Sequence, residues 1–280
     1  MKQRLIDKFG EIYGVGGDVR AYFAPGRVNL IGDHTDYNGG HVFACAIAIG
    51  TYAVARKRED NRFRFYSLNY PEQGVLEMSS SELYYREEDG WGNYAKGVVR
   101  TFIKKGCKVK GGLDILYYGE IPKGLGIGSS SSLTVVTGLI LRDLLEIPDI
   151  NMVDIALFSQ LTENEYLKTG GGIMDPFTIA MGKKDYAILL DTSDLSYAYA
   201  PLLLPHKKII ITNDLQTVIA IRHLSELTAD VFEEVQEMIK DPVCLKRARH
   251  AVTENQRTIE AVKALETGNI VEFGQLMNAS

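Results

Sequence analysis

Apolar positions along the chain recur with two periods, and the switches between those periods mark out the elements. Over residues 2–13, Leu5, Ile6, Phe9 and Ile12 fall at helical spacing, and Gly14, Gly16 and Gly17 close the segment. Residues 20–24 read as a short strand, and residues 42–56, dense in Ala, Ile and Val, as one or two buried strands. Residues 62–69 alternate, Phe63 and Phe65 on one face and Arg62 and Arg64 on the other, with residues 75–78 as the expected hairpin partner. An acidic connection, 82–90, leads to a helix over 91–105 that shows Tyr94, Val98, Val99 and Phe102 on one side. A strand over 112–119 and helices over 133–145 and 153–167 follow. Strands are expected at 186–191, 197–204 (Pro201 at an edge or bend) and 208–212. From about Asp214 the pattern is mostly helical, strongest over 247–265 and 270–277, with Gly268-Asn269 as a break.

The polar residues are less evenly spread. Pro25 to Gly40 reads Pro-Gly-Arg-Val-Asn-Leu-Ile-Gly-Asp-His-Thr-Asp-Tyr-Asn-Gly-Gly. A short apolar run anchors it, and a turn rich in hydrogen-bonding groups follows. Asp33, His34 and Asp36 offer acceptors and an imidazole donor within four residues, which suits a ligand covered in hydroxyls. Arg27 could serve an anion. The plain alternative is an Asx-rich turn satisfying its own backbone, with His34 a structural imidazole.

A second cluster reads Ile121-Pro-Lys-Gly-Leu-Gly-Ile-Gly-Ser-Ser-Ser-Ser-Leu133. Glycines at 124, 126 and 128 let backbone N–H groups approach a phosphate, and a helix start adds free donors and a favourable dipole. Serine hydroxyls can bond phosphate oxygens or a magnesium ion. The spacing is neither that of a P-loop nor that of a dinucleotide fingerprint. One serine would suffice for a capped helix, yet four stand here. A third cluster, Glu163 to Asp175, places two acids on either side of a glycine-rich turn. Phosphoryl transfer needs positioning and charge neutralisation, Mg²⁺ needs hard oxygen ligands, and a second acid can take the acceptor's proton. The plain alternatives are an exposed helix acid at Glu163 and a helix cap at Asp175 before Pro176.

The stretch Gly26 to Gly40 resembles the signature of galactokinases, a branch of the GHMP family of small-molecule kinases; its Asp33 stands where that family usually has Glu. The glycine-serine loop is similar to the family's phosphate loop, Gly-Ile-Met-Asp at 172–175 resembles a galactokinase segment, and Trp91-x-Asn-Tyr-x-Lys-Gly97 resembles an element whose aromatic residues enclose adenine. The resemblance implies an α+β, two-domain GHMP kinase fold, with a ribosomal protein S5 domain 2-like N-terminal domain (1–155) and a ferredoxin-like C-terminal domain (156–280). The first two motifs would lie in the former and Asp175 in the latter. It implies ATP and Mg²⁺ as cofactors and galactose as substrate, phosphorylated at its anomeric hydroxyl. Asp175 would be the catalytic base, with Arg27 beside it lowering its pKa; Asp33, His34, Asp36 and Gly172 would meet the sugar. Trp91, Tyr94, Gly124, Gly126, Gly128, Ser129, Ser130 and Ser131 would bind the nucleotide, and Ser130 with Glu163 the metal. Pro176, where relatives carry Gln, is expected to bear on the geometry of Asp175, and Gly171 replaces the usual Cys. The rival readings are a GHMP kinase for another sugar or sugar acid and a catalytically weak galactose- and ATP-sensing relative. Galactokinases also carry an extra segment at 213–214 and a later glycine-rich motif, so the chain is expected to represent part of a longer kinase.

Bulk properties narrow the field further. The chain has 280 residues, 45% hydrophobic and 24% charged, enough for one large domain or two ordinary ones. A net charge of -5 argues against a nucleic-acid footprint. Cys45, Cys107 and Cys244 are odd in number and widely spaced, which fits free thiols in a reducing compartment and provides no zinc-ligand spacing. The N-terminal residues lack the apolar core of a signal peptide, and the longest apolar run, 42–50, is too short to cross a bilayer. The expectation is a cytoplasmic protein with no membrane partner.

Overall fold

The computed structural model describes residues 1–122, 126–203, 229, 232–233, 236 and 241–280. The chain divides into two compact units. The first comprises 1–26, 47–171 and 179–181; the second comprises 27–46, 172–178 and 182–280. The units therefore interleave along the chain instead of meeting at one cut near residue 155. Two long strands, β1 (Arg20–Ile31) and β2 (His41–Arg58), contribute residues to both. The short strand expected over 20–24 is thus only the start of a twelve-residue strand, and the apolar block at 42–56 is one strand.

In the first unit, β2 pairs antiparallel with β5 (Gly112–Gly119), Thr51 opposite Gly119 and Arg58 opposite Gly112. Strand β3 (Arg62–Ser67) runs parallel to β5 and pairs in a hairpin with β4 (Leu76–Ser79). Because side chains alternate across a strand, Phe63, Phe65, Leu113, Ile115 and Tyr117 fall on one face. There they pack with Val98, Val99 and Phe102 of α2 (Gly92–Lys104) and Val135, Val136 and Ile140 of α3 (Ser129–Leu144). The neighbours of that row, Val54 and Leu116, pack with Leu5, Phe9 and Tyr13 of α1 (Lys2–Tyr13). On this second face Asp114, with 1% of its side chain exposed, takes hydrogen bonds from Arg56, Arg58 and Arg64. Burial alone would raise its pKa, but the three guanidinium groups outweigh burial and hold it low.

The helix expected over 153–167 is two structures. Asn151 caps α4 (Met152–Leu161) in a capping box with Asp154. A π-helical turn, Thr162–Tyr166, then widens the helix. In the second unit, His41 to Ala44 of β2 pair antiparallel with β6 (Tyr186–Asp191), which pairs with β7 (Tyr197–Pro201). Pro201 ends β7, opposite Tyr186; the expected extension to Leu204 and the strand at 208–212 lie outside the described residues. Helix α5 (Met174–Met181) sets Phe177 edge-on against Tyr197, ring centroids 5.3 Å apart. Two helices, α6 (Pro242–Glu266) and α7 (Ile270–Ala279), follow, with Asn269 capping the second and Phe273 edge-on to Phe43. No described helix is long and apolar enough to cross a membrane. Cys45 and Cys107 are free thiols.

Candidate active site

The expected site residues sort into two groups, one within each unit. The first unit holds Trp91, Tyr94, Gly126, Gly128, Ser129, Ser130, Ser131 and Glu163; the second holds Arg27, Asp33, His34, Asp36, Gly172 and Asp175. Arg27 to Gly40 of the motif thus share a unit with Asp175 and not with the glycine-serine loop. The reason is local: the turn between β1 and β2 packs on later segments of the chain, as the contacts below show. Gly124 lies outside the described residues.

In the first unit a cavity of about 210 Å³ is lined by Thr51, Asn69, Tyr70, Trp91, Tyr94 and Tyr117, among others, with Ser129 and Ser130 at the start of α3. Trp91 stacks on Tyr70 at 6.5 Å and 15° and meets the edge of Tyr117 at 5.6 Å and 70°. Its buried indole N–H has no hydrogen-bond partner among the described residues, so a donor is left for a ligand. The rest of the Trp91–Gly97 element builds the pocket wall. Asn93 ties down its own approach by bonding Arg86 and Gly90, Lys96 is buried in an ion pair with Asp89, and Gly97 lets α2 sit against the π turn. A Cβ at Gly97 would come within 2.6 Å of the Tyr166 ring. Sequence reading missed Asn69 and Tyr70. Asn69 imitates a strand by accepting from the Gly119 N–H at 2.7 Å and donating to the Gly119 carbonyl at 2.9 Å; an aromatic beside an Asn at a strand end is the only signal it leaves.

The four serines do different work. Helix α3 begins at Ser129, four residues before the expected start, because Gly128 takes the left-handed conformation, φ 78°, at its N-cap. Ser129 and Ser130 line the cavity. Ser131 is buried and donates to Glu163 Oε1 at 2.8 Å. Ser132, fully buried, donates to the Ala24 carbonyl at 2.9 Å and accepts from the Thr51 N–H at 3.0 Å, which is structural. Ser131 is thus a serine whose hydroxyl bonds Glu163, while Ser130, expected to share the metal with it, stands one residue earlier and about 100° around the helix. Glu163 is 9% exposed and sits in the π turn, not on a solvated helix face. It is held against α3 through Thr134–Ser159 and against α2 through Thr101–Thr162 hydroxyl pairs. A carboxylate with an adjacent hydroxyl, near a loop suited to phosphate, is a hard-oxygen set that fits Mg²⁺ carried in with a nucleotide.

In the second unit, Arg27 of β1 is 9% exposed and grips Asp175 with two parallel hydrogen bonds, Nε to Oδ1 at 2.7 Å and Nη2 to Oδ2 at 2.6 Å. Asp36 presses against Gly172 so closely that a Cβ there would lie 1.6 Å from Asp36 Oδ2. Burial first, then the charge of Asp175, raise the pKa of Asp36, opposed by backbone N–H groups of Met174 and Tyr37 and by Arg27. Asp175 is also raised, by burial foremost; Arg27 lowers it, as expected, but less than burial raises it, and the Asp33 charge adds to the rise. The net rise follows because desolvation penalises the anion more than one cation offsets.

Helix α5 starts at Met174, so Asp175 lies in its first turn and is not its cap. Pro176 lies in that turn too, where no intrahelical N–H is required, and it leaves the Arg27 grip intact. Gly171 accepts from Asn164 at 2.9 Å, and a Cβ there would stand 3.4 Å from Glu163 Oε2. The turn itself is built by Thr35, whose hydroxyl bonds the Gly32 and His41 carbonyls at 2.8 and 2.6 Å. Asp33 and His34 stay exposed. Asn29 donates to Asp33 at 2.5 Å, while His34, at φ 64°, has its Nδ1 2.6 Å from the Tyr37 hydroxyl. Arg27 and Asp175 are thus joined by direct hydrogen bonds and Asp36 presses on Gly172, with Asp33 acting on Asp175 through its charge and His34 directed to Tyr37.

Comparison with known proteins identifies related chains. Residues 7–57 match the galactokinase galactose-binding signature and residues 93–183 the GHMP kinases N terminal domain. The chain is 43% identical over 305 residues to a galactokinase of Fusobacterium nucleatum, covering 100% of this chain and 78% of that protein. It is 48% identical over 300 residues to one of Clostridium acetobutylicum, covering 99% and 77%. The crystal structure of Lactococcus lactis galactokinase complexed with galactose superposes with a TM-score of 0.91 at 37% identity, covering 100% of this chain and 78% of that one.

Proposed function

The chain belongs to the galactokinase family, with its GHMP kinase fold, and from that premise we propose that it transfers the γ-phosphoryl group of ATP to the anomeric hydroxyl of galactose. The products are galactose 1-phosphate and ADP. Asp175 is the general base: its carboxylate takes the hydroxyl proton as the sugar oxygen attacks the phosphorus and the bond to the ADP oxygen breaks. Arg27 aims that carboxylate and, by its charge, favours the ionised form against burial. Asp36 and the Gly172 backbone bind sugar hydroxyls, and Asp33 and His34 complete the hydroxyl-reading turn. Trp91 and Tyr94 enclose the adenine, and the loop from Gly124 to Ser131 holds the phosphates through backbone N–H groups and hydroxyls. Glu163, with Ser131 bonded to it and Ser130 one residue earlier on α3, would hold Mg²⁺, which neutralises charge on the β- and γ-phosphates when bound. We assign the reaction to the cytoplasm, where ATP is supplied and free thiols persist, with no nucleic-acid or membrane partner.

The observation that carries this reading is the two-pronged Arg27–Asp175 pair beside Asp36 and Gly172. A sugar kinase needs one acid freed to accept a proton and another to orient hydroxyls, and this cluster supplies both. The same intact geometry supports an active enzyme over a weak sensing relative. The test is an ADP-release assay over a panel of hexoses and sugar acids, with the phosphorylated carbon identified by NMR. Turnover of galactose at C1 is expected; no turnover of galactose beside strong turnover of another acceptor would overturn the choice of substrate.

A further inference from the structure

One face of helix α6 is bonded to the backbone of the turn that carries Asp33 and Asp36. His250, Glu254, Asn255 and Thr258 recur there at helical spacing. Glu254 Oε1 accepts from the Gly32 N–H at 2.8 Å and the Asp33 N–H at 3.2 Å. Asn255 Oδ1 accepts from the His41 N–H at 2.7 Å, at the far end of the turn. His250 Nε2 stands 3.2 Å from the Asp33 carbonyl, and a Cβ at Gly32 would lie 3.2 Å from the Thr258 hydroxyl. The Glu254 side chain is 0% exposed, with Arg257 on Oε2 at 2.8 Å and the Ser280 hydroxyl on Oε1 at 2.5 Å.

A fully buried carboxylate is costly, and packing alone is served as well by an apolar side chain. This one is directed at two consecutive backbone donors. Gly32, at φ 107°, turns the chain out of β1 at that point, and Asp33 and Asp36 follow within four residues. The turn has internal bonds from Thr35 and Asn38, but these fix its shape, not its placement on the unit.

We propose that Glu254 is a positioning residue for sugar binding, its carboxylate clamping the Gly32–Asp33 backbone and thereby setting where Asp33 and Asp36 meet the substrate's hydroxyls. This rests on the galactose reading above. Glu254 touches no reacting atom in that scheme, so its loss falls on sugar affinity and not on the chemical step. Glu254→Ala removes the acceptor, and Glu254→Gln keeps one oxygen that can still receive the two N–H groups.

The experiment pairs steady-state kinetics with amide hydrogen exchange on the full chain. Glu254→Ala should raise KM for galactose about ten-fold or more, with KM for ATP unchanged and kcat within about two-fold. Exchange should quicken in peptides covering 28–40 and stay at wild-type rates in α2 and β5 of the first unit. Glu254→Gln should recover most of the lost affinity. Wild-type KM together with wild-type exchange at Gly32–Asp33 in Glu254→Ala would overturn the proposal. So would parallel losses in kcat, both KM values and exchange everywhere, unrescued by Gln, which is the signature of a residue that only stabilises the fold. If Glu254→Ala does not fold, Glu254→Gln decides: a smaller KM rise with faster exchange at 28–40 supports the clamp, and wild-type values for both refute it. Should the wild-type chain fail to phosphorylate galactose, the substrate assignment falls, while exchange at Gly32–Asp33 still tests the clamp by itself.

Discussion

The two units handle charge in opposite ways. The cavity of the first is walled by aromatic rings and hydroxyls, and its one acid among the expected site residues, Glu163, is bonded to Ser131. The second packs Arg27, Asp36 and Asp175 into direct or near contact, with both acids pushed up in pKa by burial. The difference follows from the ligands proposed. A nucleotide brings its own charge, so its site needs dipoles, N–H groups and flat surfaces. A sugar is neutral, so the site that activates its hydroxyl must supply the charge itself.

The sharpest way to break that contrast is Asp175→Asn. Turnover should fall by about 10²–10⁴-fold with galactose binding still measurable by calorimetry, because the base is lost and the shape kept. Unchanged turnover would remove Asp175 from the base role. Gly172→Ala should come next. Its new Cβ has no room beside Asp36, and KM for galactose should rise roughly 10–100-fold with KM for ATP unaffected. In the first unit the pattern should reverse. Glu163→Gln should raise the Mg²⁺ concentration for half-maximal rate about 10–100-fold, and chelation of the metal should abolish turnover in the wild type. Trp91→Ala should raise KM for ATP about ten-fold and leave KM for galactose alone; a rise in both would mean that the cavity is not a nucleotide pocket.

The smallest effect expected is on stability. Because Asp36 holds its proton more tightly in the folded chain than in the unfolded one, the stability tied to that proton is complete below the ordinary carboxylate range. It is lost as pH rises through the folded pKa. Asp36→Asn should therefore raise the melting temperature at neutral pH and give no gain in acid, below the unfolded pKa. An equal gain at every pH would show that the carboxylate's ionisation is not what the fold pays for.

How far these features were legible depended on their range in sequence. The Phe63–Phe65 alternation, the Gly268-Asn269 break and the glycines before α3 act on neighbours a few residues away, and each was readable. The strand at 20–24 was cut short because Pro25-Gly-Arg looks like loop chemistry, yet those residues continue β1 to Ile31. The end of α4 was read as plain helix because a π turn keeps the same apolar positions as an α-helix over one turn. Which serine meets Glu163 depends on helix rotation and on α4 packing, neither of which a run of four like residues reveals.

The sequence by itself determined the chemistry available: the acids at 36, 163 and 175, the cation at 27, and glycines where backbone must approach a ligand or turn sharply. Tertiary structure decided the partners. It set Arg27 on Asp175 across 148 positions, put Glu254 under a turn more than two hundred residues before it, and added the burial that outweighs Arg27 in the Asp175 shift. The physical reason is that periodicity and turn propensity are local, whereas desolvation and salt-bridge geometry exist only once distant segments exclude water together.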